Sequence, residues 1–417
     1  MTDPSASPVS ITGIASGGDG VGRLADGRTV FVPRTAPGDV VEPGQVRLFR
    51  TYARARVSRL ITPGPDRIEP RCPHYLADEC GGCQLQHLAL PAQLEAKRRT
   101  VGDAFRRIAR VEVDDPAIVP SDAAWEYRTK LTLAVAGRGR VIGLHRYERA
   151  AEVFELEYCH IAAPALNALW RGVKRSRRLL PPDAERLVLR LDRGGGLHLN
   201  VVARGSAVWR GAARLHEALG ADGVEAAVWW QPEGGAARVV AGGGAEGAYP
   251  ATVFEQIHPA LGDRIREHAL DQLGPVGGRH VWDLYAGIGE TTERLARAGA
   301  SVESVESDPR AVELARARTA GLGAVRLHAA RVEEMLAGLG RPELVVTNPP
   351  RVGMDPRVPE TIARLRPARV VYISCDPATL ARDVGRLLPA YRVGSLLAFD
   401  LFPQTAHVET VATLEAR

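Results

Sequence analysis

The sequence predicts an α/β protein in three parts: an OB-like β-barrel, a central α+β domain and a C-terminal, doubly wound domain with a parallel sheet. Short apolar stretches separated by Gly-Gly, Asp-Gly and Pro-Gly turns occupy residues 8–62, a pattern typical of a small barrel. From about residue 125 to 250, strand-like segments outnumber helical ones. After residue 250, apolar runs end in polar residues and alternate with helix-like sequence, which is typical of helices that cover a parallel sheet.

The composition is that of an ordinary globular protein. The chain has 417 residues, of which 45% are hydrophobic and 25% charged, which is enough for two or three domains with their own cores. The sequence lacks an apolar run of about 18 residues, and its start, MTDPSASPVS, is unlike a signal peptide. We therefore expect a cytoplasmic monomer without membrane segments. The net charge of +5, carried almost entirely by arginine, weakly favours a polyanionic partner such as RNA.

Residues 91–111 have the pattern of an amphipathic helix. Leu94, Val101, Phe105 and Ile108 fall near helical spacing and should form its apolar face. The opposite face is basic, which is consistent either with a solvated surface or with a surface that contacts RNA. Its members are Lys97, Arg98, Arg99, Arg106 and Arg107.

The cysteines indicate a metal site. Three of the five lie in CPHYLADECGGC (72–83) with the spacing C-x7-C-x2-C, and a zinc ion or an iron–sulfur cluster would need a fourth ligand, for which Cys159 and Cys375 remain. Zinc sites usually present their ligands as two close pairs, so the spacing slightly favours a cluster and leaves zinc open. Gly81 and Gly82 should let the backbone bend tightly around the bound group.

Three predicted strands end in motifs that suit an adenosine cofactor. VWDLYAGIGE (281–290) contains D-x-x-x-G-x-G, and Thr292 occupies the place of the third glycine of a pyrophosphate-binding fingerprint. Glu306 ends the strand-like SVESVE, where a carboxylate can accept ribose hydroxyls, and NPP (348–350) ends another strand. Because ligands bind at the carboxyl ends of the strands in open α/β sheets, the three loops should converge. They favour S-adenosylmethionine over a dinucleotide.

Five motifs occur in the order found in the RNA uracil-C5 methyltransferases, and the whole chain resembles the iron–sulfur members of that family that carry a TRAM domain. The motifs are FEQIHPAL (254–261), DLYAGIGE (283–290), NPPRVGMD (348–355), ISCDPATLARD (373–383) and FPQTAHVE (402–409). The resemblance implies a TRAM-like RNA-binding barrel at 1–66, an iron–sulfur and central α+β domain at 67–250, and a Rossmann-like S-adenosylmethionine-dependent methyltransferase domain at 251–417. The substrate it implies is a uridine of RNA, with 23S ribosomal RNA the first expectation and uridine 54 of transfer RNA the alternative.

The resemblance also implies roles for individual residues. Cys375 matches the nucleophile that adds to C6 of uracil, and Glu409 matches the base that removes the C5 proton. Asp376-Pro377 is a good helix start, and the helix N-terminus should favour the thiolate of Cys375. The residues that match a [4Fe-4S] site are Cys72, Cys80, Cys83 and Cys159. The expected cofactor-binding residues are Gln256, Tyr285, Gly287, Glu306 and Asn348.

Two departures from the family pattern keep alternatives open. Asn348 replaces the usual aspartate, and NPP is also typical of methyltransferases that act on exocyclic amines of nucleic acids. Ala330 stands near the place of an expected polar residue, so a non-catalytic RNA-binding iron–sulfur protein is the other alternative. Retention of both Cys375 and Glu409 argues against these alternatives, because neither amine methylation nor binding needs the two residues.

Overall fold

The computed structural model describes residues 7–137, 141–205, 208–242 and 256–417. The chain divides into two compact units, the first formed by Met1–Ala96, Asp122–Thr252 and Pro403–Ala406 and the second by Lys97–Ser121, Val253–Phe402 and His407–Arg417. The predicted domain boundary at 250/251 lies outside the described residues. Within the described ranges, no helix is both long and apolar enough to cross a membrane.

The N-terminal strands of the first unit form the predicted barrel. It is closed, with the strand order β1-β2-β3-β5-β4. Alternate residues point inward, so that Val9, Ile11, Val30 and Val32 are almost fully buried in its core. The strands are β1 (Val9–Ile14), β2 (Gly20–Arg23), β3 (Thr29–Val32), β4 (Val40–Leu48) and β5 (Tyr52–Thr62).

The rest of the first unit is the predicted α+β region. Its seven-stranded sheet has the order β13-β12-β11-β10-β7-β8-β9, as far as the described residues show. The strands are β7 (Lys130–Ala136), β8 (Val141–Arg146), β9 (Arg149–Glu155), β10 (Ala184–Leu191), β11 (Leu197–Ala203), β12 (Ala226–Gln231) and β13 (Arg238–Ala241). The helices are α1 (Pro73–Leu76), α2 (Leu90–Ala104), which continues into the second unit, α3 (Pro164–Arg175) and α4 (Ala212–Ala221).

The second unit is the predicted doubly wound domain. In the described residues its sheet has the order β16-β15-β14-β17-β18-β20-β19-β6, and the first five strands are parallel. The strands are β6 (Ala117–Val119), β14 (His280–Leu284), β15 (Ser301–Glu306), β16 (Val325–Ala329), β17 (Leu344–Thr347), β18 (Arg369–Ser374), β19 (Tyr391–Phe399) and β20 (Glu409–Ala416). The helices are α5 (Pro259–Leu273), α6 (Glu290–Arg297), α7 (Pro309–Arg318), α8 (Val332–Met335), α9 (Arg357–Leu365) and α10 (Pro377–Leu387).

Both faces of this parallel sheet are buried. Val281 and Trp282 are neighbours in β14 and belong to two different core clusters, each side chain less than 1% exposed. Such continuous apolar strands are expected where helices cover both faces of a sheet. The predicted fold class is therefore confirmed, including the barrel and the mixed α/β content.

The basic face predicted for residues 91–111 is wrong at Lys97. This side chain is 1% exposed, and its ammonium group donates hydrogen bonds to the Asp400 carboxylate and to the Phe402 carbonyl oxygen. Ile108, predicted to be on the apolar face, is 46% exposed. Residues 105–109 form a π-helical turn, and the wider spacing of such a turn changes which side chains face the core.

Candidate active site

The loop after β14 bends sharply at three residues with positive φ. Tyr285 has φ +60°, Gly287 +56° and Gly289 +78°. A Cβ atom on Gly289 would lie 2.7 Å from the Cβ of Ala315, so only glycine lets α6 begin this close to α7. A Cβ atom on Gly287 would meet open space. The loop is therefore shaped to leave room beside Gly287 at the carboxyl end of the sheet.

Glu306 lies beside this loop at the end of β15. Its Oε2 accepts a hydrogen bond from the Gly287 N–H at 3.0 Å, and its Oε1 accepts bonds from the Asp308 N–H at 2.8 Å and the Ser307 hydroxyl at 3.1 Å. A carboxylate can accept about four hydrogen bonds, so Glu306 retains capacity for a ligand hydroxyl. The predicted convergence of these two strand ends is present in the structure.

Asp283 is a buried carboxyl group in β14, the strand that precedes this loop. Burial raises the pKa of this carboxyl to about 7, although the hydrogen bond from Thr292 opposes the shift. The Thr292 hydroxyl lies 2.6 Å from Asp283 Oδ2 and 3.0 Å from the Ser304 hydroxyl. Thr292, at the place of the third glycine of a pyrophosphate-binding loop, thus joins β14 to β15 within the core.

The other predicted cofactor residues occupy separate positions around this edge. Asn348 follows β17, is exposed, and donates its backbone N–H to the Leu284 carbonyl oxygen at 3.2 Å. Gln256 lies before α5, and a Cβ atom on Gly262 would be 3.0 Å from the Gln256 Cβ. Their binding roles stay predictions. Ala330, where a polar residue was expected, donates its backbone N–H to the Glu306 carbonyl oxygen at 3.0 Å.

The sheet brings Cys375 and Glu409 together. Strand β20 runs antiparallel to β18, and Ser374 pairs with Thr410. Continuing this register by one residue places Glu409 opposite Cys375, on the same face of the sheet. Neighbouring cross-strand residues lie close enough to act on one substrate.

Glu409 is a buried carboxyl group close enough to Cys375 for its charge to affect the thiol. Its side chain is 2% exposed, and its Oε2 has no hydrogen-bond partner among the described residues. Burial raises the pKa of Glu409 to about 8, and the positive charge of Arg351 opposes the shift. A buried carboxyl oxygen without a hydrogen-bond partner lowers the free energy of unfolding. Carboxyl groups with a pKa raised in this way are candidates for general bases.

Burial and nearby charges set the pKa of the Cys375 thiol, and the predicted effect of the helix N-terminus on it stays a prediction. Helix α10 does begin at Pro377, with Asp376 Oδ1 accepting the Thr379 N–H at 2.9 Å. However, burial and the nearby Glu409 raise the pKa of the Cys375 thiol to about 11, and the hydrogen bond and charge of Arg351 only partly offset them. Desolvation is the largest of these effects, because burial disfavours the charged form of the thiol.

Arg351 is the residue that the sequence interpretation missed. It directly follows NPP in the sequence NPPR. Its place beside a predicted cofactor loop is the sequence feature that could have identified it, whereas the sequence analysis assigns a role in this loop to Asn348 only. The positive charge of Arg351 lowers the pKa of both the Cys375 thiol and the Glu409 carboxyl, against the effect of burial. Its Nη2 also lies 3.4 Å from His407 Nε2.

The fully buried Asp383 holds the Arg351 loop against α10. Its Oδ2 accepts the Met354 N–H at 2.8 Å and the Tyr372 hydroxyl at 3.0 Å, and its Oδ1 accepts bonds from Arg382 and Arg386. Arg382 also donates to the Val352 carbonyl oxygen at 2.8 Å. These bonds fix the backbone that carries Arg351 to the helix that follows Cys375.

Substitutions of the two charged neighbours should change the reactivity of Cys375 in opposite directions. Glu409→Gln removes a negative charge, which should lower the pKa of the thiol and speed its alkylation by iodoacetamide at pH 8. Arg351→Gln removes a positive charge and should slow it. Each unit of pKa changes the thiolate fraction about tenfold at this pH. Cys375→Ala is the control for labelling of the other cysteines, and equal rates in all variants would contradict the coupling.

The four remaining cysteines are brought together within the first unit. All are free thiols, each no more than 9% exposed, in one core cluster: Cys72, Cys80, Cys83 and Cys159. Burial raises the pKa of each, to about 12 for Cys80, and the charge of Cys159 contributes further to the shifts of the other three. Even so, the described residues contain no group of three or more His, Cys, Asp or Glu side chains in metal-binding geometry.

The two glycines between these cysteines allow close approaches, while their predicted role in bending the backbone around a bound group stays a prediction. Neither has a positive φ. Gly81 instead approaches β8, where a Cβ atom would lie 3.1 Å from the His145 carbonyl oxygen. The Gly82 N–H donates to Cys80 Sγ at 3.4 Å, and such a bond favours the thiolate form that a metal or cluster requires.

Comparisons with known proteins agree on one family. Residues 326–417 match the model described as tRNA (Uracil-5-)-methyltransferase, and residues 6–55 match the TRAM domain. A 23S rRNA (uracil(1939)-C(5))-methyltransferase of Azoarcus is 33% identical, over 95% of this chain and 97% of the relative. An uncharacterized RNA methyltransferase of Gloeobacter violaceus is 34% identical, over 98% of this chain and 96% of the relative.

A solved structure supports the fold over nearly the whole chain. The tRNA (uracil-54, C5)-methyltransferase of Pyrococcus abyssi, in complex with S-adenosyl-L-homocysteine, is similar with a TM-score of 0.73. The match covers 98% of this chain and 100% of that one, at 22% sequence identity.

Proposed function

The chain belongs to the RNA (uracil-C5) methyltransferase family, and we propose that it transfers a methyl group from S-adenosylmethionine to C5 of one uridine in 23S ribosomal RNA. The observation that carries the proposal is that the β18–β20 register, continued by one residue, places Cys375 opposite Glu409, whose buried Oε2 has no hydrogen-bond partner among the described residues. The relative named for 23S rRNA aligns over almost the whole chain, which favours ribosomal RNA as the substrate. A ribosomal substrate would also place the protein in the cytoplasm.

The residues support a covalent mechanism. The Cys375 thiolate adds to C6 of uracil, and the electron pair of the C5–C6 double bond moves toward C5 and O4. C5 then forms a bond to the methyl group, and the bond between that methyl group and the donor's sulfonium sulfur breaks, leaving its electron pair on the sulfur. Glu409 takes the C5 proton, and the electrons of the C–H bond re-form the double bond and expel the thiolate. Arg351 stabilises the anionic forms of Cys375 and Glu409, because its charge lowers the pKa of each.

The cofactor would be held at the carboxyl end of the parallel sheet. The open space beside Gly287 and the remaining acceptor capacity of Glu306 fit an adenosine moiety with ribose hydroxyls. Tyr285, Asn348 and Gln256 are the further contacts we propose. When bound, S-adenosylmethionine supplies the methyl group. A uridine in a helix must leave the base stack for its C6 to reach Cys375.

We further propose that the four buried thiols of the first unit hold a [4Fe-4S] cluster. Their shared burial and the absence of disulfides fit a thiolate-bound group. Such a group would stabilise the first unit, since metal binding is coupled to folding, and the methyl transfer needs no redox step.

Anaerobically purified protein should be brown and contain about four iron atoms per chain. Cys159→Ser should lose the iron and the visible absorption, because it removes one of the four thiolates. Cys375→Ser is the matched control, and it should keep both. Stoichiometric zinc without iron would show that the tetrad is a zinc site.

The substrate is tested by nucleoside mass spectrometry mapped by position. Ribosomal RNA from cells without the gene should lack one 5-methyluridine that cells with the gene contain, and the purified protein should restore it. Loss of 5-methyluridine from transfer RNA instead would identify the alternative substrate that the matched family model names. Loss of a methylated adenine or guanine would contradict uracil chemistry.

A further inference from the structure

Three aromatic rings meet at one end of the barrel. Strands β4 and β5 are joined by a tight turn, in which the Phe49 N–H donates to the Tyr52 carbonyl oxygen at 2.8 Å. The Phe49 and Tyr52 rings are stacked, with centroids 4.5 Å apart and planes 11° apart. Phe31 of β3 meets Tyr52 edge-on at 5.9 Å. We call Phe31, Phe49 and Tyr52 the aromatic tip.

The aromatic tip is not part of the barrel core. The buried cluster of the barrel is aliphatic, and none of the three rings belongs to it. All three rings are half-buried, and Leu48 beside them is 47% exposed. Aromatic residues make up only 5% of the chain. Three of them close together at the surface, outside the hydrophobic core, therefore indicate a binding site.

Cations surround the aromatic tip. The guanidinium carbon of Arg47 lies 5.1 Å from the Phe49 ring centroid. Arg47 and Arg50 are exposed, and neither has a carboxylate partner in the part of the chain that the structure describes. Arg28 donates to the Phe49 carbonyl oxygen at 3.2 Å, which holds the turn in place. Flat rings flanked by unpaired guanidinium groups complement single-stranded nucleic acid, whose bases stack while its phosphates pair with the cations.

We propose that the aromatic tip is a stacking site for an unpaired base of the RNA substrate, with Arg47 and Arg50 on the adjacent phosphates. The inference rests on the proposed function for the identity of the RNA. Stacking tolerates every base, because each has a π-face. The site therefore selects unpaired structure, whereas the uridine itself is selected at Cys375.

The test uses the full-length protein and a uridine-rich single-stranded RNA of about ten nucleotides carrying 2-aminopurine. Phe49→Ala should weaken binding about 5- to 100-fold and reduce the fluorescence quenching, while the dependence of affinity on salt stays the same. Phe49→Tyr should keep wild-type affinity, and Phe49→Leu, which retains apolar bulk without a flat ring, should behave like Phe49→Ala. Arg47→Gln should reduce the salt slope by about one.

Leu60→Ala on β5 is the matched control, since Leu60 is also an exposed apolar residue at 37%, and it should bind normally. Wild-type affinity in Phe49→Leu and Phe49→Ala would overturn the proposal, as would a dimer that Phe49→Ala abolishes, because a second copy would then be the occupant. The binding assay does not require methylation. Loss of affinity in Phe49→Leu by a protein that makes no 5-methyluridine would support this site and contradict the proposed function.

Discussion

RNA that carries 5-fluorouridine at the target position should become covalently joined to the wild-type protein. The Cys375 thiolate adds to C6 and the methyl group transfers, but fluorine at C5 leaves Glu409 no proton to remove. The carbon–sulfur bond then cannot break. Cys375→Ala should form no adduct, and its methylation rate should fall by about 10⁴-fold or more, as expected when a covalent nucleophile is lost. The adduct is measured by denaturing electrophoresis and by mass spectrometry of the joined peptide.

Three outcomes of this experiment separate the candidate functions. A methyltransferase of exocyclic amines would form no adduct, and its Cys375→Ala variant would stay active. A protein that only binds RNA would give neither adduct nor methylation while keeping its affinity. If Cys375→Ala makes 5-methyluridine as fast as the wild type, the covalent mechanism is wrong even though the substrate is right.

Glu409→Gln should methylate ordinary RNA once and then remain attached to it. The amide cannot take the C5 proton, so the product stays bonded to Cys375, and turnover should fall by about 10²- to 10⁴-fold. Glu415→Gln is the matched control on the same strand, because Glu415 lies at the far end of the β18–β20 pairing, opposite Arg369. Normal turnover by Glu409→Gln would exclude this carboxylate as the base.

The pH dependence of the rate at which the covalent adduct releases RNA should reflect the ionisation of Glu409 alone. Once the sulfur is bonded to C6, the thiol no longer titrates, and the remaining requirement is an ionised carboxylate. Burial raises the pKa of Glu409 to about 8, so this group is mostly protonated below that pH. The rate of release should therefore rise with pH and level off above about 8, and this dependence should be absent in Glu409→Gln.

Local sequence patterns predicted the elements of the fold because each pattern reports burial on one or both faces. The runs VWDLYAG and RVVYISC became central strands with both faces covered. Turn residues separated the short strands of the barrel correctly. The same reasoning failed at Lys97, because the acidic partner that makes its burial tolerable, Asp400, lies about three hundred residues away in the sequence. Hydrophobic periodicity predicts that a lysine is exposed, because a buried lysine needs an acidic partner and periodicity does not reveal that partner.

The motifs in the sequence identified Cys375 and Glu409, but only the tertiary structure decided how they act on each other. The antiparallel register of β18 and β20, continued by one residue, sets them opposite one another, and the loop held by Asp383 carries Arg351, whose charge lowers the pKa of both groups. Helix start signals are local, so Asp376-Pro377 could be recognised from the sequence. The pKa of a thiol depends on desolvation and on charges within a few ångströms. Residues distant in sequence supply both, so the raised pKa of the Cys375 thiol could not be inferred from the helix start alone.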